Sequence, residues 1–123
     1  MVYLLKAFFL FIAISCFLNS RARIFDNEHE RLVWRQDSCG CNGERFALKM
    51  QVMLRMQKMT AAEVENELGK PARKVSEPDA IPMEYYPILA ECNSKNQVKQ
   101  KIYSLVIEFR NDTVVSCGLH DWR

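Results

Sequence analysis

The apolar side chains divide the chain near residue 22. Residues 7–15, AFFLFIAIS, form an unbroken apolar run behind Lys6. That length suits the core of a signal segment and falls short of the roughly 20 apolar residues a membrane span needs. Beyond residue 22, apolar and polar positions interleave as in a folded domain. Residues 44–59 carry two patterns at once. Phe46, Leu48, Met50, Val52, Leu54 and Met56 alternate like a strand, whereas Phe46, Met50, Met53 and Leu54 mark one helical face. Composition separates the two, since Ala, Leu, Lys, Met, Gln and Arg favour helices and Val52 is the only β-branched residue. A helix is predicted over 44–59.

A second helix follows at once. Thr60 and Glu63 stand in the spacing of a capping box, Val64 and Leu68 share a face one turn apart, and Gly69 and Pro71 end the helix. Residues 72–82 read as a polar connection. Residues 83–90 read as a strand that Pro87 confines to an edge or a break, and residues 92–101 as a loop. Residues 102–110, IYSLVIEFR, form a strand with Tyr103, Leu105, Ile107 and Phe109 on one face. Asn111-Asp112 turns the chain, and residues 113–119 return as its partner. Residues 32–34, Leu-Val-Trp, read as a short strand or a first turn, and residues 37–43, with two glycines and two cysteines, as a loop. The expected fold is α+β, with two helices packed on a three-stranded antiparallel sheet. Residues 1–22 form the signal segment, 23–43 an extension with the cysteine loop, and 44–123 the α+β domain.

Composition agrees with one ordinary globular domain: 123 residues, 49% hydrophobic and 26% charged. The net charge of +2 is partly carried by Lys6, Arg21 and Arg23 beside the apolar segment. The domain is therefore close to neutral and lacks the concentrated basic face of a nucleic-acid binder. Lys95, Lys99 and Lys101 read as a solvated loop.

Five cysteines change the picture. Cys16 follows Ala13-Ile14-Ser15, a lipobox-like run that makes Cys16 a candidate lipidation site; cleavage after Ala22 is the competing reading, and a retained anchor extended by Val2–Leu5 and Phe17–Leu18, with Lys6 inside it, is the third. All three send the domain to the cell envelope or beyond it. Cys39, Cys41, Cys92 and Cys117 make an even set, which reads as disulfides in an oxidising compartment. A Cys39–Cys41 bond would close a strained ring, so each is expected to pair with Cys92 or Cys117.

Other chemistry is weaker. Cys39, Cys41, Cys117 and His120 supply four zinc-ligand types without a standard finger spacing. Ser116, His120 and Asp121 contain triad residue types without a hydrolase context. His29 lies in a polar stretch, and Asp37 with Arg45 reads as a structural ion pair. Asn111-Asp112-Thr113 spells a glycosylation sequon but reads as the hairpin turn. Met50, Met53, Met56 and Met59, spaced by three, read as core filling or as an adaptable contact surface. The expectation is a non-enzymatic protein without metal or cofactor.

The run Met59-Thr60-x-x-x-Val64-x-x-x-Leu68-Gly69-x-Pro71, with Glu84-Tyr85-Tyr86 and Leu105-Val106-Ile107-Glu108-Phe109-Arg110-Asn111, resembles the BamE (SmpA/OmlA) envelope lipoproteins. Phe25-Asp26, Trp34, Asp37 and Cys41-x-Gly43-x-Arg45 are similar to the opening of small exported proteins on the same plan. The resemblance covers nearly everything after residue 22. It implies two helices on a three-stranded sheet, as in β-lactamase-inhibitor-like proteins, here in a disulfide-braced version. It further implies a protein-interaction or structural module of the bacterial envelope, with an envelope or outer-membrane protein as partner and a lipid anchor at Cys16. A secreted inhibitor or binding protein on the same fold is the alternative.

Overall fold

Asn27 starts a helix that the apolar pattern does not announce. Its side chain accepts a hydrogen bond from the Glu30 amide, and Glu28 and Glu30 place negative charge in the first turn. The computed structural model describes residues 23–121. It contains α1 (Glu28–Gln36), α2 (Glu44–Arg55), α3 (Ala61–Leu68), β1 (Arg73–Val75), β2 (Met83–Cys92), β3 (Val98–Arg110) and β4 (Thr113–Asp121). Cys16 and the rest of residues 1–22, the expected signal segment, lie outside the described residues.

The four strands form one antiparallel sheet in the order β1-β2-β3-β4. The α+β class stands, but the described residues hold three helices and four strands instead of two and three. Both additions are weakly patterned. In α1 only Trp34 is buried, so its capping carries more information than its apolar content. In β1, Arg73-Lys74-Val75 is polar and largely exposed, and it exists as a strand because it pairs with Met83–Tyr85.

Local chemistry explains the better-predicted parts. Thr60 and Glu63 make both capping-box bonds, and α3 ends at Gly69 with a positive φ. Asn111 and Asp112 both take positive φ, which gives the two-residue turn between β3 and β4 its hand. Pro87 falls where β1 has already ended, so its missing N–H costs no bond on that side, and the β2–β3 register shifts just after it. The expected loop at 92–101 is shorter than predicted. The ladder runs out to Cys92 opposite Val98, and Asn93 caps the remaining turn by accepting from the amides of Lys95 and Gln97.

The core lies between the helices and one sheet face. Trp34, Val52, Met56, Val64 and Leu68 meet Tyr86, Ile88, Leu105, Ile107, Phe109 and Val114 there. Of the expected α2 face, Met50 is 55% and Leu54 70% exposed, because the helix turns Val52 inward instead. Met56 and Met59 fill the core, and Met53 packs beside it.

Ile24 and Phe25 join this core ahead of α1. They are held there by Glu67, a fully buried carboxylate on α3. It accepts from the Ile24 amide at 2.6 Å and from the Arg31 guanidinium. Glu67→Ala leaves the buried Ile24 amide without its acceptor, while Arg31 keeps its ion pair with Glu28. The substitution should destabilise by about 1–3 kcal/mol in urea unfolding, and no measurable loss would show that the anchor is dispensable.

Candidate functional site: a three-sulfur loop and an acid-walled cavity

The loop at 37–43 is organised by a buried carboxylate. Asp37 ends α1, and its two oxygens accept from the amides of Asn42 at 2.9 Å and Arg45 at 3.0 Å. This fixes the start of α2 against the end of α1. Arg45 is also buried; it donates from Nε to the Trp34 carbonyl and from Nη1 to the Pro87 carbonyl. Its guanidinium lies over the Trp34 ring, 4.8 Å from the centroid. Burial lowers the Arg45 pKa to about 10, with Asp37 opposing the shift, so the group is charged at neutral pH. The expected Asp37–Arg45 ion pair is corrected in form: Asp37 binds backbone amides, and the guanidinium binds backbone carbonyls.

The residues that carry the resemblance at the chain's opening converge on this point. Phe25 stacks at a tilt against Trp34 with centroids 5.9 Å apart, and the Trp34 indole donates to the Leu68 carbonyl. Gly43 takes the positive φ that enters α2.

Gly40 has a different task. Its φ is +77°, and a Cβ there would come within 2.8 Å of the Leu89 backbone nitrogen. The Gly40 amide donates to the Asp37 carbonyl, and the Gly40 carbonyl accepts from the Ala90 amide. The Cys-Gly-Cys turn is thus bolted to β2 by backbone alone.

On that turn Cys41 is bonded to Cys92 across 51 residues. A loop of this length corresponds to about 4 kcal/mol in the chain-entropy account. Cys39 is a free, half-buried thiol with its sulfur 2.7 Å from the Cys41 sulfur. Cys117 is also free; it sits on β4 against the Met53 carbonyl and the Gln57 amide, and burial pushes its thiol pKa up. Of the two bridges expected, the structure contains one, Cys41–Cys92; Cys39 and Cys117 have different neighbours and are free thiols in it.

The other candidate groupings are not assembled among the described residues. The three sulfurs of Cys39, Cys41 and Cys92 cluster, but Cys117 faces α2 and His120 is exposed, so the four zinc-ligand types do not meet. Strand alternation puts Asp121 on the face opposite Ser116 and His120. His29 is exposed on α1.

A second locus lies at the other end of β2. Ala61, Val75, Pro82, Met83 and Phe109 wall a cavity of about 250 Å³ that Glu84 and Lys74 also line. Glu84 is buried, its Oε1 is 3.4 Å from the Tyr86 hydroxyl, and its Oε2 has no partner. Burial, then the neighbouring Glu65 carboxyl, raises its pKa to about 7, against the pull of Lys74, which itself pairs with Glu65 at 3.3 Å. Burial, then Glu84 and Glu65, also push the Tyr86 hydroxyl up, so Tyr86 stays protonated and donates to the Gly69 carbonyl at 2.8 Å. The sequence reading missed Glu84. Its signal was one acid inside the run Met83 to Ala90, otherwise free of charge.

No protein-family model, curated protein or solved structure matches this chain. No helix among the described residues is long and apolar enough to cross a membrane.

Two measurements follow from this geometry. A carboxyl whose folded pKa is raised from 4.5 to about 7 contributes stability that is full below pH 4.5 and is lost as pH rises through 7. Glu84→Gln should remove roughly 2–3 kcal/mol of that pH dependence. Matching urea-unfolding profiles for both proteins across this range would refute the assignment. Gly40→Ala combines left-handed strain with backbone overlap and should cost about 2–4 kcal/mol. Gly43→Ala has open space around the added Cβ and should cost only about 1 kcal/mol. Equal melting temperatures for the two variants would contradict the close approach of Gly40 to β2.

Proposed function

We propose that this chain is a non-enzymatic module of the bacterial cell envelope, related to the BamE-like lipoproteins, that binds another envelope protein. The observation that carries the reading is the cavity beside β1. Its walls are mostly apolar, with Glu84, Lys74 and Asp112 among them, and at about 250 Å³ it is small for a metabolite-sized ligand but large enough for one or two apolar side chains. It opens beside a three-residue strand at the edge of the sheet, where an extended segment can add its backbone. The occupant is an extended peptide segment whose apolar side chain enters the cavity beside Glu84 and Lys74. The Cys41–Cys92 disulfide supports an oxidising compartment, and the apolar run at 7–15 supports export.

The test uses the full chain in its native envelope, with a photo-crosslinking side chain at Val75 or, as the control, at exposed Val115 on β4. A discrete adduct from Val75, absent from Val115 and lost when Ala61→Phe fills the cavity, is the expected result. Equal adducts from both positions would overturn the reading. The intact mass of the mature protein reports its form in the same preparation. A membrane form beginning at lipidated Cys16 is expected, whereas a released form beginning at Arg23 would favour a secreted inhibitor or binding protein.

A further inference from the structure

We propose that Cys39, Cys41 and Cys92 form a thiol–disulfide exchange centre in which one disulfide is shared among three sulfurs. The Cys39 sulfur lies 2.7 Å from the Cys41 sulfur, which is already bonded to Cys92. All three residues are partly exposed, so solvent and thiol reagents reach them. Cys117, the other free thiol, is spent on contacts with α2 and takes no part.

The exchange balances without an outside oxidant. The Cys39 thiolate attacks Cys41 Sγ; the Cys39–Cys41 bond forms as the Cys41–Cys92 bond breaks. The electron pair leaves on the Cys92 sulfur, and the proton lost from Cys39 returns through water to Cys92. One disulfide and one thiol are present before and after.

What makes this more than a close contact is the attachment of the turn. An ordinary bridge, once opened, releases its loop and the sulfurs drift apart. Here the Asp37 carboxylate, the Gly40–Ala90 hydrogen bond and the seat of Gly40 on the Leu89 backbone hold residues 37–43 on β2 without any help from sulfur. Cys41 therefore stays beside both of its possible partners. The positive φ of Gly40 keeps the two sulfurs of the Cys-Gly-Cys turn together. A bond closed over a single residue is strained, and strained disulfides are the labile ones. The Cys41–Cys92 form thus serves as the resting state and the Cys39–Cys41 form as the reactive one.

The reactive form exposes a Cys92 thiol at the start of the β2–β3 turn. Its thiolate can attack a small or protein disulfide, forming a mixed disulfide at Cys92 and releasing the other half as a thiol. The substrate class is therefore an accessible disulfide, and the product is a covalent tether at that end of the sheet. This inference does not depend on the cavity or on the partner proposed for it.

Peptide mapping of the full oxidised protein tests the proposal. Trypsin places Cys39 and Cys41 together in residues 36–45 and Cys92 in residues 75–95. The protein is held at about pH 8, where thiols ionise in part, and free thiols are trapped with N-ethylmaleimide. Two species are expected. In one, 36–45 carries label on Cys39 and is bonded to 75–95. In the other, 36–45 holds an internal disulfide and 75–95 carries the label, at about one molecule in ten or more. In a parallel sample without N-ethylmaleimide, oxidised glutathione should add to the free Cys92 thiol of residues 75–95, with release of reduced glutathione. Cys39→Ser should lower labelling of Cys92 at least tenfold while labelling of Cys117 is unchanged. Native protein in which Cys92 is never labelled would overturn the proposal whatever the variant does, and so would Cys92 labelled equally in folded Cys39→Ser protein.

Discussion

The fold depends on the burial of one guanidinium. Arg45 reaches the last turn of α1 through the Trp34 carbonyl and the middle of β2 through the Pro87 carbonyl, while Asp37, close by, holds the Arg45 amide. An arginine removed from water is tolerated only where its donors are met; its two carbonyl partners come from α1 and β2, and the Arg45 amide adds the loop through Asp37. Helix, loop and strand are thereby fixed to a common point. The aromatic packing of Phe25 and Trp34 and the seat of Gly40 on β2 are arranged around it.

Glu67 repeats this device on a smaller scale. It draws the residues ahead of α1 onto α3 through one amide and one guanidinium. Glu84 is the contrasting case, a buried acid with an oxygen left over. These two of the three buried acids among the described residues, the third being Asp37, are thus put to different uses. Glu67 is saturated and holds chain segments together, whereas Glu84 is unsaturated and faces a cavity. That contrast is the physical basis for the proposal that a partner docks at the β1 end of the sheet.

Much of the architecture was legible in the sequence because local chemistry decided it. Thr60 with Glu63, Gly69, Asn111-Asp112 and the alternation from Tyr103 to Phe109 each act within a few residues, and each appears in the structure where it was expected. The misses have long-range causes. α1 rests on a cap and one buried tryptophan, and β1 is a strand only because residues 83–85 lie beside it. The sulfur pairing was half legible. Counting cysteines showed that bridges were to be expected, but the choice of Cys92 over Cys117 depends on which strand receives Gly40. The register of β2 against that loop is set by the Gly40–Ala90 bond and by Arg45, which reaches the Pro87 carbonyl 42 residues away, a contact no local pattern announces.

The Cys41–Cys92 bond has a consequence for durability. The covalent ring it closes contains α2, α3, β1 and all of β2. The exposed stretch at 76–82 is where a protease would cut first, and it lies inside that ring. A single cut there opens the ring into a linear arrangement and releases nothing. Both ends remain joined through sulfur, and β2 remains paired with β3. A chain clipped once in a protease-rich setting would therefore still travel, and still fold, as one molecule.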